Sequence, residues 1–302
     1  MLAPNPHDTF IKRIFANTED AIAFFKGTLP SEVQSILDLE RLEQTKESFL
    51  PKNQSSTQTD ILWKIPTKSG KEIYTYLLFE HKSYYDPKIF FQLLGYITQI
   101  YLWQKENSAD LVPVIPFVFY HGEKVWDLGL NFKDQFSKNE DIQTLAKYIP
   151  DFAIELFELD KTDITTKFHP LTLRMFLRLI QKIRTDIKEF RPIFLGILKE
   201  LSQVQSEAKK LEILEKLLYY LLSVRPKDEI EFRNEEMYRV EGLEGEFMTL
   251  LDEIRLEGEI KGKLEGKLEA AERMLKKGMS VSDVLDVTGL TEADLRNKGL
   301  VK

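Results

Sequence analysis

The stretch TDILWKIPTKSGKEIYTYLLFEHKSYYD, residues 59–86, decides the fold. In DILWKIP the residues alternate, with Ile61, Trp63 and Ile65 on one side and Asp60, Leu62 and Lys64 on the other, which is the period of a β-strand. TKSG is turn chemistry, and EIYTYLLFEHK is a longer strand rich in β-branched and aromatic residues. Together they predict an antiparallel hairpin. Paired residue numbers in a hairpin sum to a constant, and a turn over Thr67 to Lys71 sets it at about 137 to 140. Asp60 then falls opposite a residue between Leu77 and Glu80. Alternation sends Glu80 and Lys82 to one face of their strand and His81 to the other.

Helical period lies on both sides of the hairpin. In HDTFIKRIF, Phe10, Ile11, Ile14 and Phe15 share a face, and Thr18, Glu19 and Asp20 mark a fresh helix start. Ser31 to Leu39 fits a short helix or a strand. DPKIFFQLLGYITQIYLWQKE returns to helix, with Pro87 in its first turn, and LVPVIPFVFYHG is apolar enough for a buried strand. IPDFAIELFELD is a further strand, and residues 170–224 are helical with a break at Arg184 to Asp186. Beyond Glu241 the composition shifts to a charged stretch free of proline, in which Gly258, Gly262 and Gly266 recur every four residues.

With 302 residues, 43% hydrophobic and 30% charged, the chain can bury a sizeable core and stay in solution. It has no cysteine, which excludes disulfides and thiolate zinc sites. The start lacks the pattern of a signal peptide, and the longest apolar run, Leu111 to Tyr120, is too short for a membrane helix. A cytoplasmic protein without membrane contact is expected. The net charge of −7 argues against a general coat for nucleic acid, but not against a local basic groove.

Two carboxylates brought together at one end of neighbouring strands repel unless a cation lies between them. A hard divalent ion such as Mg²⁺ suits their oxygens. It can lower the pKa of a bound water and neutralise charge on a phosphoryl group. A lysine beside it can orient the attacking water. Asp60, Glu80 and Lys82 therefore make a coherent set for phosphodiester hydrolysis. As plain surface charges, Glu80 and Lys82 would be worth ~0–1 kcal/mol, and the strand before them is too apolar for a free edge.

Asp60, nineteen intervening residues and then Glu80-His81-Lys82 resemble the PD-(D/E)XK nuclease motif. HDTFIKRIF, TDILWK, LLFEHKS, QLLGY, IPFVFYHG and the charged tail narrow the resemblance to the recombination-promoting nuclease / putative transposase family of that superfamily. The likeness is best over residues 7–125 and 255–296. It implies an α/β, restriction-endonuclease-like core, a mixed sheet flanked by helices, with a mainly helical C-terminal extension. The implied segments are a nuclease core at 1–125, a mixed then helical extension at 126–235 and a charged tail at 236–302. The implied activity is Mg²⁺-dependent DNA cleavage serving recombination or transposition, with Mn²⁺ as a substitute ion. By resemblance, Asp60, Glu80 and the His81 carbonyl hold the metal, and Lys82 is the catalytic lysine. Asp8 matches an acidic position that completes the metal site, and Gln92 a polar position near substrate or water. One departure is Thr59, where the motif's name has proline.

Asp8 is also a good helix N-cap. His7, His81 and His121 lack zinc-site spacing and fit packing or hydrogen-bonding roles. The glycine-spaced tail fits a long helix that could supply a homodimer. Its last segment could form a small helix-turn-helix, in which Asp283, Asp286, Glu292 and Asp294 outweigh Arg296 and favour protein contact over DNA reading. The rival functions are a catalytically silent DNA- or protein-binding scaffold and an RNA nuclease.

Overall fold

A computed structural model describes residues 5–45, 61–69, 74–107, 111–233, 239–240 and 242–301, with 74–78, 80 and 244 described by backbone alone. The chain divides into two compact units, one over His7–Ile197 and one that starts at Leu198.

The first unit is built on a five-stranded sheet in the order β1 (Glu43–Gln44), β2 (Ile61–Pro66), β3 (Tyr74–Lys82), β4 (Val114–Tyr120) and β5 (Glu155–Glu158). The pairs β1–β2 and β2–β3 are antiparallel, and β3–β4 and β4–β5 are parallel. The hairpin is present as expected. Its rungs run from Ile61↔Phe79 to Pro66↔Tyr74, so the register sum is 140. β3 is the central strand, which accounts for its apolar sequence.

Helices α1 (Pro6–Phe15), α2 (Thr18–Thr28) and α3 (Ser31–Ile36) precede the hairpin, and α4 (Ile89–Asn107) links β3 to β4. Pro87 stands before α4, in a turn where the Asp86 carboxylate accepts from the Lys88 amide at 2.9 Å. Later come α5 (Glu140–Thr144), α6 (Ile164–Lys167), α7 (Leu171–Lys182) and α8 (Ile187–Ser202). The break at Arg184 to Asp186 lies where the sequence places it. A second break, unforeseen, follows Ser202.

One face of the sheet is aromatic. Trp63, Phe79, Phe117, Phe119 and Phe157 meet Phe15 of α1 and Phe24 and Phe25 of α2, and Phe10 meets Phe176 of α7. The four apolar residues of α1 are all buried. Burial of each such ring contributes ~1.5–3 kcal/mol. The opposite face packs Leu62, Val118 and Tyr120 against Ile89, Phe90, Leu93, Ile97 and Ile100 of α4. With both faces covered, a polar side chain pointing off β3 must find a partner.

In the second unit α9 (Glu207–Val224) packs against α11 (Glu244–Lys276), with α10 (Glu229–Phe232) between them in sequence. Arg233 bonds to Glu229 at 2.8 Å and to Asp252 at 2.6 Å. The end of α11 shares a small core with α12 (Val281–Thr288) and α13 (Glu292–Asn297), built from Leu268, Ala271, Val284, Leu290 and Leu295. Gly289 ends α12 at φ 62°, a left-handed conformation that glycine adopts without cost. Among the described residues no helix is long and apolar enough to cross a membrane.

Candidate active site

Lys82 ends β3 and is 1% exposed. Its Nζ donates to Gln92 Oε1 at 2.7 Å and lies 3.1 Å from Asp86 Oδ2. Gln92 Nε2 in turn donates to the Tyr96 hydroxyl at 2.8 Å. The arrangement follows from the local chain. β3 turns at Ser83 to Lys88 into α4, which lies on the sheet face toward which Lys82 points. Gln92 and Tyr96 are one helical turn apart. A buried ammonium costs several kcal/mol unless paired; here a carboxylate and an amide oxygen offset that cost.

His81 points to the opposite face. Its Nδ1 lies 2.5 Å from Asp8 Oδ1 and its Nε2 lies 2.7 Å from His121 Nε2. The Asp8 carboxylate accepts from His81 Nδ1, and His81 and His121 share one hydrogen bond between their facing Nε2 atoms. The two rings lie nearly parallel, 4.8 Å between centroids, and meet edge to edge through Nε2, while His7 meets His121 edge-on at 5.2 Å. Burial, then the neighbouring charges of His81, His7 and Arg184, hold His121 well below the usual histidine range. Burial first, then Arg184 and His81, lower His7 to about 4, against the opposing pull of Asp8.

The ends of β3 and β4 are tied by the His121 amide, which donates to Lys82 O at 3.0 Å. Arg184, from the connection between α7 and α8, spans both ends. It donates from Nη1 to His121 O at 2.5 Å and from Nη2 to Ser83 O at 2.6 Å.

Of the residues expected at the site, the structure brings Lys82 and Gln92 into contact. Asp8 goes to the other sheet face, bonded to His81. Glu80 holds the β3 position paired with Val118, and Asp60 lies outside the described residues. Among the described residues no group of three or more histidines and acids is placed to hold a metal ion. The three histidines have the hydrogen-bonding and packing roles expected of them.

Asp86, Tyr96 and Arg184 were not anticipated. The first two stand four residues after Lys82 and Gln92, and helical spacing points to Tyr96. Nothing local points to Arg184, which is 101 residues from Ser83.

The chain falls within a family of nucleases. Residues 5–210 match the family described as "Putative transposase, YhgA-like", and residues 264–298 match the C-terminal helix-turn-helix domain of the Rpn/YhgA-like nuclease family. The chain belongs to this family. It is 28% identical to the inactive recombination-promoting nuclease-like protein RpnE of Escherichia coli strain K12, over 97% of each chain. It is 26% identical to the recombination-promoting nuclease RpnA of the same strain, over 96% of each. It is 30% identical to the recombination-promoting nuclease RpnD of Escherichia coli O157:H7, over 44% of this chain and 52% of that one. No solved structure matches significantly.

Proposed function

We propose that the chain is a metal-dependent DNA endonuclease with a PD-(D/E)XK, restriction-endonuclease-like core, acting in recombination. The observation that carries this reading is Lys82. Its ammonium is buried at the carboxyl end of the central strand, two residues after Glu80, and is held by Gln92 and Asp86. A lysine kept only for packing could be replaced by an apolar side chain at no loss.

The β2–β3 ladder opens at Ile61↔Phe79, and in the sequence Asp60 immediately precedes Ile61 as Glu80 immediately follows Phe79. Two carboxylates and the adjacent His81 carbonyl are all oxygen donors, in a chain without cysteine, which fits Mg²⁺ with Mn²⁺ as substitute. When bound, the ion supplies charge neutralisation at the phosphoryl group and acidifies a water. Lys82 orients that water and stabilises the developing negative charge. Gln92 and Tyr96 fix the ammonium, and Asp8 holds the strand end through His81.

The helix-turn-helix match favours DNA as partner. The acidic residues counted against it are partly engaged in capping: Asp283 takes the Ser280 hydroxyl at 2.6 Å, and Asp294 forms a capping box with Thr291. A homodimer through α11 is the second part of the proposal. Leu256, Ile260 and Leu264 are exposed on α11. In an antiparallel copy centred on Ile260, Leu256 meets Leu264, Glu257 meets Lys263 and Glu259 meets Lys261.

The inactive label on the RpnE relative favours a second reading, a catalytically silent DNA-binding scaffold. Calorimetric titration of the protein with Mn²⁺ and Mg²⁺ separates the two. A nuclease binds the ion and loses it in Asp60→Ala and Glu80→Ala; a silent scaffold gives no heat that these substitutions remove.

A further inference from the structure

We infer that Arg184 is a phosphate-contacting residue on the rim of the Lys82 site, and that it takes the backbone of a bound DNA strand. The inference rests on the DNA nuclease reading above and adds to it a residue from a distant part of the chain.

Position comes first. β3 and β4 are parallel, so their carboxyl ends coincide, and ligands of such sheets lie just outside those ends. Lys82 is the last residue of β3. Arg184 is anchored on the carbonyls of Ser83 and His121, the residues that immediately follow β3 and β4. Its guanidinium is thus fixed beside the backbone that presents Lys82.

Chemistry comes next. A guanidinium carries five N–H donors in one plane, and the two carbonyls take two of them. Arg184 is exposed, always charged, and among the described residues forms no ion pair with a carboxylate. Asp160, itself exposed, senses its charge without an ion pair. Neutral carbonyls hold the fork in place, and among the described residues no carboxylate comes within ion-pair distance of it. A planar cation with N–H groups to spare matches phosphate oxygens. In a chain of net charge −7, a fixed cation beside the site is what a nucleic-acid backbone requires.

The experiment uses the full-length chain and a fluorescent DNA duplex in EDTA, with binding measured across a series of NaCl concentrations. Arg184→Gln keeps a donor for a strand-end carbonyl and loses the charge; Arg184→Lys keeps the charge and loses the fork. The expected result is a log K against log salt slope shallower by about 0.9 in Arg184→Gln, one phosphate contact, and a wild-type slope in Arg184→Lys. Thermal midpoints are recorded beside it, since a mere strand clamp changes those and leaves the slope alone. An unchanged slope in Arg184→Gln overturns the assignment, whatever happens to its stability. A slope change seen with an RNA duplex and absent with DNA overturns the DNA partner. Cleavage of plasmid DNA by wild type is scored separately. The slope change without cleavage in any metal sinks the nuclease reading and leaves the Arg184 contact standing; cleavage by wild type with binding that ignores salt sinks the Arg184 contact and leaves the nuclease reading standing.

Discussion

Lys82 and Gln92 show what a single strand and the following helix can reveal. Both were named from the sequence, Gln92 through the family resemblance as a position near substrate or water; that it accepts from Lys82 is shown by the structure. Asp8 was read toward the metal, yet it bonds to His81 across the sheet, because α1 packs on the aromatic face and Lys82 points to the other. Arg184 was not legible at all, since its contacts depend on how α7 and α8 return to the sheet. Lys82→Met should cost ~3–5 kcal/mol, because it leaves the Asp86 carboxylate and the Gln92 amide oxygen without their partner. Urea unfolding checks this, and unchanged stability would show that the pair contributes nothing to the fold. His7 adds a pH dependence. Its folded pKa of about 4 lies below the ordinary 6.5, so between those values the unfolded chain binds a proton that the folded chain does not. Stability is therefore full above pH 6.5 and falls as the pH drops toward 4, by on the order of 3 kcal/mol. His121 acts in the same direction. His7→Gln should flatten the decline between pH 6.5 and 4; equal curves for variant and wild type would contradict it.

The elements were more legible than their junctions. The hairpin and α4 follow from periodicity, β4 from its apolar run, β5 from the strand-like IPDFAIELFELD, and the long tail helix from its charged, glycine-spaced stretch free of proline. The start of α4 and the break after α8 do not, because a cap and a turn are settled by one or two side chains. Gly122, the last residue of YHG, has a reason only the structure supplies. A methyl group there would run into the ring and hydroxyl of Tyr120, which is buried and donates to Lys124 O at 2.5 Å. Gly122→Ala should cost ~1–3 kcal/mol by urea unfolding; wild-type stability would show that the ring moves freely. For α11, Ile260→Glu places two carboxylates at the centre of the proposed antiparallel pair. Sedimentation of the wild type should show a dimer and of the variant a monomer, and identical behaviour would remove α11 from self-association.

At the scale of the molecule, the chain has two units. The first holds the sheet and the Lys82 site; the second ends in a helix-turn-helix that the family shares. The composition shift at Glu241 lies inside the second unit and does not mark the division at Leu198; the helix-turn-helix was expected as a fold, and the acids that spoke against DNA reading serve in part as helix caps. The central claim is that the hairpin cuts DNA. Purified protein should nick supercoiled plasmid with Mg²⁺ or Mn²⁺ and not with EDTA, and Asp60→Ala and Lys82→Ala should each lower the rate at least about 100-fold. Folded wild-type protein that leaves the plasmid intact in every metal, or variants that cut as fast as wild type, would contradict it.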